Sequence, residues 1–197
     1  MDGFSALLLA GGESSRFGSP KIDARLADGR WPFGELVARL RAAGERCALA
    51  GSEARAGAAA RALALPRLDD ARAESGPLAG LVAGLAAAAA DDPLLLLPCD
   101  MPDWPVEARA AFARRLVPGV DAVLLQLDGR PNPVCALYRK TALAPLAAAL
   151  AAGQLRIRAA LGPLRVDYFD PAAAAVRGCE PGRFRSFNTP EELAALA

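Results

Sequence analysis

The chain has 197 residues, 23 Lys and Arg against 22 Asp and Glu, no histidine, and a 53% hydrophobic composition with a mean hydropathy of +0.21. These values fit one alanine-rich globular domain over residues 1–197 and exclude disorder, as well as any whole-chain field that would draw the protein onto nucleic acid or anionic lipid. They also exclude Ser-His-Asp and Cys-His nucleophilic catalysis and any histidine general base, so carboxylates, Lys, Arg, hydroxyls or a metal must carry the chemistry.

In chain order, the apolar run at residues 4–9 predicts a first strand, followed by a loop bearing Gly11, Gly12, Arg16, Gly18 and Lys21. Helices are predicted at 33–43, 54–63, 78–90 and 106–116, alternating with strands at 47–50, 65–68, 94–98 and 120–125. Two later strands, 134–138 and 164–169, flank an Ala-rich helix at 141–152. A short terminal helix should follow Thr189-Pro190-Glu191-Glu192, which offers a cap, a proline for the first helical position and first-turn acids. The alternation predicts an α/β fold, a mostly parallel sheet covered by helices.

The longest uncharged apolar stretch, 78–90, is shorter than the roughly 20 residues of a membrane span, and no signal-peptide core precedes Gly11-Gly12. The expectation is a cytoplasmic protein without membrane or nucleic-acid partners. Cys47, Cys99, Cys135 and Cys179 form no Cys-x-x-Cys pair and read as reduced thiols, Cys99 as a packing residue.

The glycine loop supplies backbone N–H groups, and Arg16 and Lys21 supply cationic donors, as a triphosphate requires. Its spacing matches neither Walker A nor the dinucleotide fingerprint, which weakens kinase, GTPase and dehydrogenase readings. Sites in open α/β sheets gather beyond the carboxyl ends of the strands. That rule brings Lys21 toward Asp100, which leaves the 94–98 strand between Pro98 and Pro102 and suits a Mg²⁺ ligand shared with substrate phosphates. Lys21 is one of only two lysines beside 21 arginines, which points to a required compact point charge. Gly76-Pro77-Leu78 opens a helix. Residues 139–185 carry eight basic side chains against three acids, room for an anionic ligand or merely scattered surface arginines.

Taken in order, Leu9-Ala10-Gly11-Gly12, Arg16-Phe17-Gly18, Lys21, Gly76-Pro77-Leu78-Ala79-Gly80, Cys99-Asp100-Met101-Pro102, Asn132-Pro133-Val134 and Phe187-Asn188-Thr189-Pro190-Glu191-Glu192-Leu193 resemble the molybdenum cofactor guanylyltransferases. The resemblance implies a Rossmann-like, nucleotide-diphospho-sugar transferase-like fold with helices on both faces. It also implies transfer of GMP from Mg·GTP to molybdopterin, with a nucleotide site mainly in 1–105 and an acceptor site mainly in 106–197. By the same resemblance Leu9, Ala10, Gly11, Gly12, Lys21 and the 76–78 segment would contact the nucleotide, and Asp69 or Asp70 the guanosine. Asp100 would hold the magnesium, with Lys21 and Arg16 stabilising transition-state charge. Asn132, Arg156, Arg158 and Asn188 would hold the acceptor, and proteins that supply molybdopterin or receive the product would be partners. Gly12 stands where CTP-using relatives tend to carry alanine, which favours GTP. Phe17, Pro20, Asn132 and Ser186 depart from the usual family residues. The rival readings are transfer to another phosphorylated acceptor and a non-catalytic nucleotide- or cofactor-binding relative.

Overall fold

The computed structural model describes residues 3–10, 20–68, 76–89 and 91–195. Within these, β1 (Ala6–Leu9), α1 (Pro32–Ala42), β2 (Cys47–Ala50), α2 (Glu53–Ala62), β3 (Arg67–Leu68), α3 (Gly76–Ala87) and β4 (Leu94–Pro98) alternate as the apolar pattern predicts. The second half adds α4 (Ala108–Arg115), β5 (Ala122–Leu127), β6 (Arg130–Tyr138), α5 (Leu143–Ala151), α6 (Ile157–Ala160), β7 (Val166–Phe169), α7 (Pro171–Ala174) and α8 (Pro190–Ala194). The strands form one sheet in the order β3-β2-β1-β4-β6-β5-β7. Every pairing is parallel except those of β6, which runs against both β4 and β5.

The unbroken apolar runs have a direct cause, for strands buried on both faces have no polar side to alternate with. Ala6 and Leu8 of β1, with Leu95 and Leu97 of β4, face a core filled by Phe33, Leu36 and Leu40 of α1 and Phe112 of α4. Leu7 and Leu9, with Leu94 and Leu96, face the opposite core with Leu78, Leu81 and Leu85 of α3, Leu146 of α5 and Ile157 of α6. The sheet is thus the middle of three layers, as predicted.

Two expectations need correction. Among the described residues β3 starts at Arg67 rather than at 65, because Ala64 takes a left-handed φ of 47° just before the predicted strand start. β6 begins at Arg130 rather than at 134, reached from β5 through Asp128 and Gly129 with φ of 50° and 71°, the backbone of a two-residue hairpin turn. Pro131 and Pro133 obscure that start, since proline cannot donate to a ladder. Pro133 is accommodated where the β5/β6 register shifts between Leu124 and Leu125, and Pro131 sits opposite Gln126 near the hairpin end.

The second lysine is structural. Lys140 donates to the carbonyls of Leu85, Ala86 (2.9 Å) and Ala88 (3.2 Å), capping the C-terminus of α3, where orphan carbonyls and the helix dipole favour a cation. A Lys140→Met variant keeps the stem and loses the donors. It is expected to be destabilised by about 1–3 kcal/mol in chemical denaturation, with nucleotide binding unchanged.

The four cysteines are free, as the sequence predicts, and all four are buried. Burial pushes the Cys99 thiol up to about 12, and the carboxylate of Asp100 beside it adds to the rise, so Cys99 stays neutral and acts as packing. Among the described residues no helix is long and apolar enough to cross a membrane.

Candidate active site

β1 pairs in parallel with both β2 and β4, so the chain leaves these three strands at the same edge and the order reverses beside β1. Such a switch point opens a crevice beyond the carboxyl ends of the strands. The backbone ladder runs out to that edge: Ala10 N–H donates to Ala50 O (2.9 Å) and Cys99 N–H to Leu9 O (3.1 Å). Asp100 is the next residue.

Lys21 returns to the edge at the start of a short 3-10 turn, Lys21–Asp23. Ile22, fully buried, plugs that turn into the core beneath, and its carbonyl accepts from the Trp31 indole (2.7 Å). Held this way, the ammonium of Lys21 donates to Asp100 Oδ2 at 2.8 Å and to Asn188 Oδ1 at 2.9 Å. Two residues 79 apart in sequence therefore meet at the crevice. Their side chains retain 12% and 21% exposure, which leaves the ammonium open to an anion and the carboxylate open to a cation.

The C-terminal segment closes the cluster from the side. Phe187 N–H donates to the Asp100 carbonyl (3.1 Å), its ring centroid lies 5.7 Å from the Lys21 ammonium, and it packs with Ala24 and Leu193. Thr189 Oγ1 accepts from Glu192 N–H and Glu192 Oε2 from Asn188 N–H, a reciprocal cap that anchors α8.

The donor set bears on which metal fits. Among the described residues no group of three or more His, Cys, Asp or Glu could hold an ion. A single carboxylate already facing a cation at 2.8 Å suits Mg²⁺, which takes one or two carboxylates and leaves its other positions to phosphates and water. Asp100 fits as that ligand.

The other candidates fall into two groups. Gly11, Gly12, Arg16, Asp69 and Asp70 lie outside the described residues, as does Phe17. Leu9 and Ala10 are buried at the strand end, and Leu78 is wholly buried in the α3 core, so its side chain is committed to packing and a ligand could meet only its backbone. Gly76 has φ +66°, and a Cβ there would stand 2.9 Å from the Leu155 carbonyl oxygen, so the start of α3 lies against the segment leading to Arg156. Arg158 donates to the Pro131 carbonyl (2.7 Å), and the Asn132 side chain accepts from Val134 N–H (3.2 Å). Arg156, Arg158 and Asn132 thus sit around the amino end of β6, at the crevice edge. Asn188, grouped with them in the sequence reading, is found on Lys21 instead.

Part of the basic excess of 139–185 is spent on backbone carbonyls within the fold. Arg139 donates to the carbonyls of Val120 (3.0 Å) and Leu116, Lys140 caps α3, and Arg183 donates to the Asp103 carbonyl (3.2 Å). Sequence reasoning gave Phe187 no role, although it opens the last of the motifs that carry the resemblance, because nothing in the sequence shows that its ring meets the Lys21 ammonium.

The family model for the MobA-like NTP transferase domain matches residues 6–166. A protein named molybdenum cofactor guanylyltransferase from Cereibacter sphaeroides is 35% identical over 198 residues, covering 95% of this chain and 92% of that protein. A protein of the same name from Burkholderia vietnamiensis is 33% identical over 208 residues, covering 98% and 95%. Among solved structures, molybdopterin-guanine dinucleotide biosynthesis protein A from Archaeoglobus fulgidus superposes with a TM-score of 0.79 at 22% identity, covering 96% of this chain and 95% of that one.

Proposed function

The chain belongs to the MobA-like NTP transferase family and is a nucleotidyltransferase, and from that premise we propose that it transfers GMP from Mg·GTP to the phosphate of molybdopterin, releasing pyrophosphate. The observation that carries the proposal is the contact of Lys21 with Asp100 at the switch-point crevice, a phosphate-seeking ammonium beside a cation-seeking carboxylate. The names of the relatives supply the acceptor and the base.

In this reading the acceptor's phosphate oxygen attacks the α-phosphorus of GTP in line. A new P–O bond forms, the α–β bridging P–O bond breaks, and its electron pair leaves with pyrophosphate. The attacking group is already an anion, so no base is needed, in keeping with a chain that lacks histidine. Lys21 and Arg16 stabilise charge growing on the phosphates, and Lys21, already held in the partly dehydrated crevice, need not reorganise during the reaction. Asp100 would hold a magnesium ion, which when bound would further neutralise the triphosphate. Leu9, Ala10, Gly11, Gly12, Gly76 and Pro77 line the nucleotide through their backbones, Asp69 or Asp70 holds the guanosine, and Asn132, Arg156 and Arg158 hold the acceptor. A protein that delivers molybdopterin and an enzyme that accepts the product are its partners in this scheme.

A substrate panel tests it. Pyrophosphate release is expected with GTP and Mg²⁺ when molybdopterin is present, and not with CTP. Release with GTP or CTP and sugar phosphates, and none with molybdopterin, would overturn the assignment.

A further inference from the structure

We propose that Phe187 is a positioning residue that fixes the Lys21 ammonium relative to Asp100, an inference that deepens the nucleotidyltransferase reading and rests on it for its catalytic consequence. Phe187 touches both members of the pair: its N–H binds the Asp100 carbonyl at 3.1 Å and its ring centroid lies 5.7 Å from Lys21 Nζ. A cation within about 6 Å of an aromatic centroid is attracted to the ring face.

The ring itself is immobilised. Phe187 is 1% exposed, in a segment anchored before it by buried Phe184, which packs on Phe169, and after it by the capped α8 and buried Leu193. Lysine, on a four-carbon stem, has many rotamers and brings no directionality of its own. Asp100 and Asn188 engage two of the three ammonium N–H groups among the described residues. A π face restrains the cation without accepting another N–H in line. That leaves a donor for a phosphate oxygen and keeps the ammonium in place when Asp100 turns to a metal ion.

The test compares Phe187→Leu with Phe187→Trp, which restores a face. The chain has only two lysines, so ¹³C-lysine labelling gives an ε-carbon spectrum with one signal from each, assigned by Lys140→Met. In Phe187→Leu the Lys21 ε signals are expected to lose their ring-current shift while those of Lys140 stay put, and kcat/KM for GTP to fall about ten-fold. Phe187→Trp is expected to restore both. Unmoved Lys21 signals in the leucine variant, or equal losses in the leucine and tryptophan variants, would overturn the proposal. A wild-type protein that releases no pyrophosphate from GTP would instead remove the reaction assigned above, while the lysine signals still decide whether Phe187 positions Lys21.

Discussion

An Asp100→Asn variant is expected to fold, to bind GTP, and to turn over at least ~100-fold more slowly than the wild type, the scale of losing one electrostatic stabiliser at a reacting centre. The substitution is nearly isosteric. Asparagine still offers Lys21 a side-chain oxygen in place of Asp100 Oδ2, and the Phe187 N–H binds the backbone carbonyl of residue 100, which the change leaves alone. The pair is partly exposed, with 12% and 21% of the two side chains accessible, so losing its charge costs on the order of 1 kcal/mol of stability. What disappears is the negative charge that attracts a divalent ion. The apparent Mg²⁺ requirement, measured by pyrophosphate release at saturating GTP, should therefore rise as kcat falls. Unchanged turnover would remove Asp100 from the site.

Lys21→Met is expected to lower kcat/KM for GTP by about 10²–10³-fold, because methionine keeps most of the apolar stem and deletes the charge that faces the phosphates. Lys21→Arg should recover little of this. The ammonium fits between Asp100 Oδ2 and Asn188 Oδ1 at 2.8 and 2.9 Å, and a planar guanidinium carries its donors in a wider, fixed fork. Steady-state kinetics of the two variants beside the wild type check this. An arginine variant with wild-type kinetics would show that charge alone, not the compact ammonium, is what the site uses.

Much of this site was legible because of where two strands end. The apolar runs leading to Ala10 and to Asp100 read as strands buried on both faces, and the edge rule then placed Lys21 and Asp100 together without any contact information. The acceptor side was less legible, for physical reasons. Pro131 and Pro133 made the start of β6 look like loop, although Asp128-Gly129 is a strong hairpin signal that would have placed Asn132 on a strand at the crevice edge. α6 and α7, at four residues each, are too short to leave a periodic pattern. Nor could composition separate arginines spent on backbone carbonyls, such as Arg139 and Arg183, from those left at the surface, since that depends on tertiary placement. The scarcity of lysine was read as a sign of function at Lys21, yet the same scarcity applies to Lys140, which caps a helix.

In the proposed mechanism Lys21 meets the nucleotide's phosphates directly and Asp100 meets them through a divalent ion. Mn²⁺ prefers the same oxygen ligands as Mg²⁺ and broadens nearby nuclear signals, and the two lysines lie at opposite ends of the fold, Lys21 at the carboxyl edge of the strands and Lys140 at the far end of α3. Titrating Mn²⁺ and GTP into ¹³C-lysine-labelled protein is predicted to broaden the ε signals of Lys21 and leave those of Lys140 sharp. Bound Mn·GTP with Lys21 as sharp as Lys140 would show that the nucleotide and its ion do not sit on the Lys21–Asp100 pair.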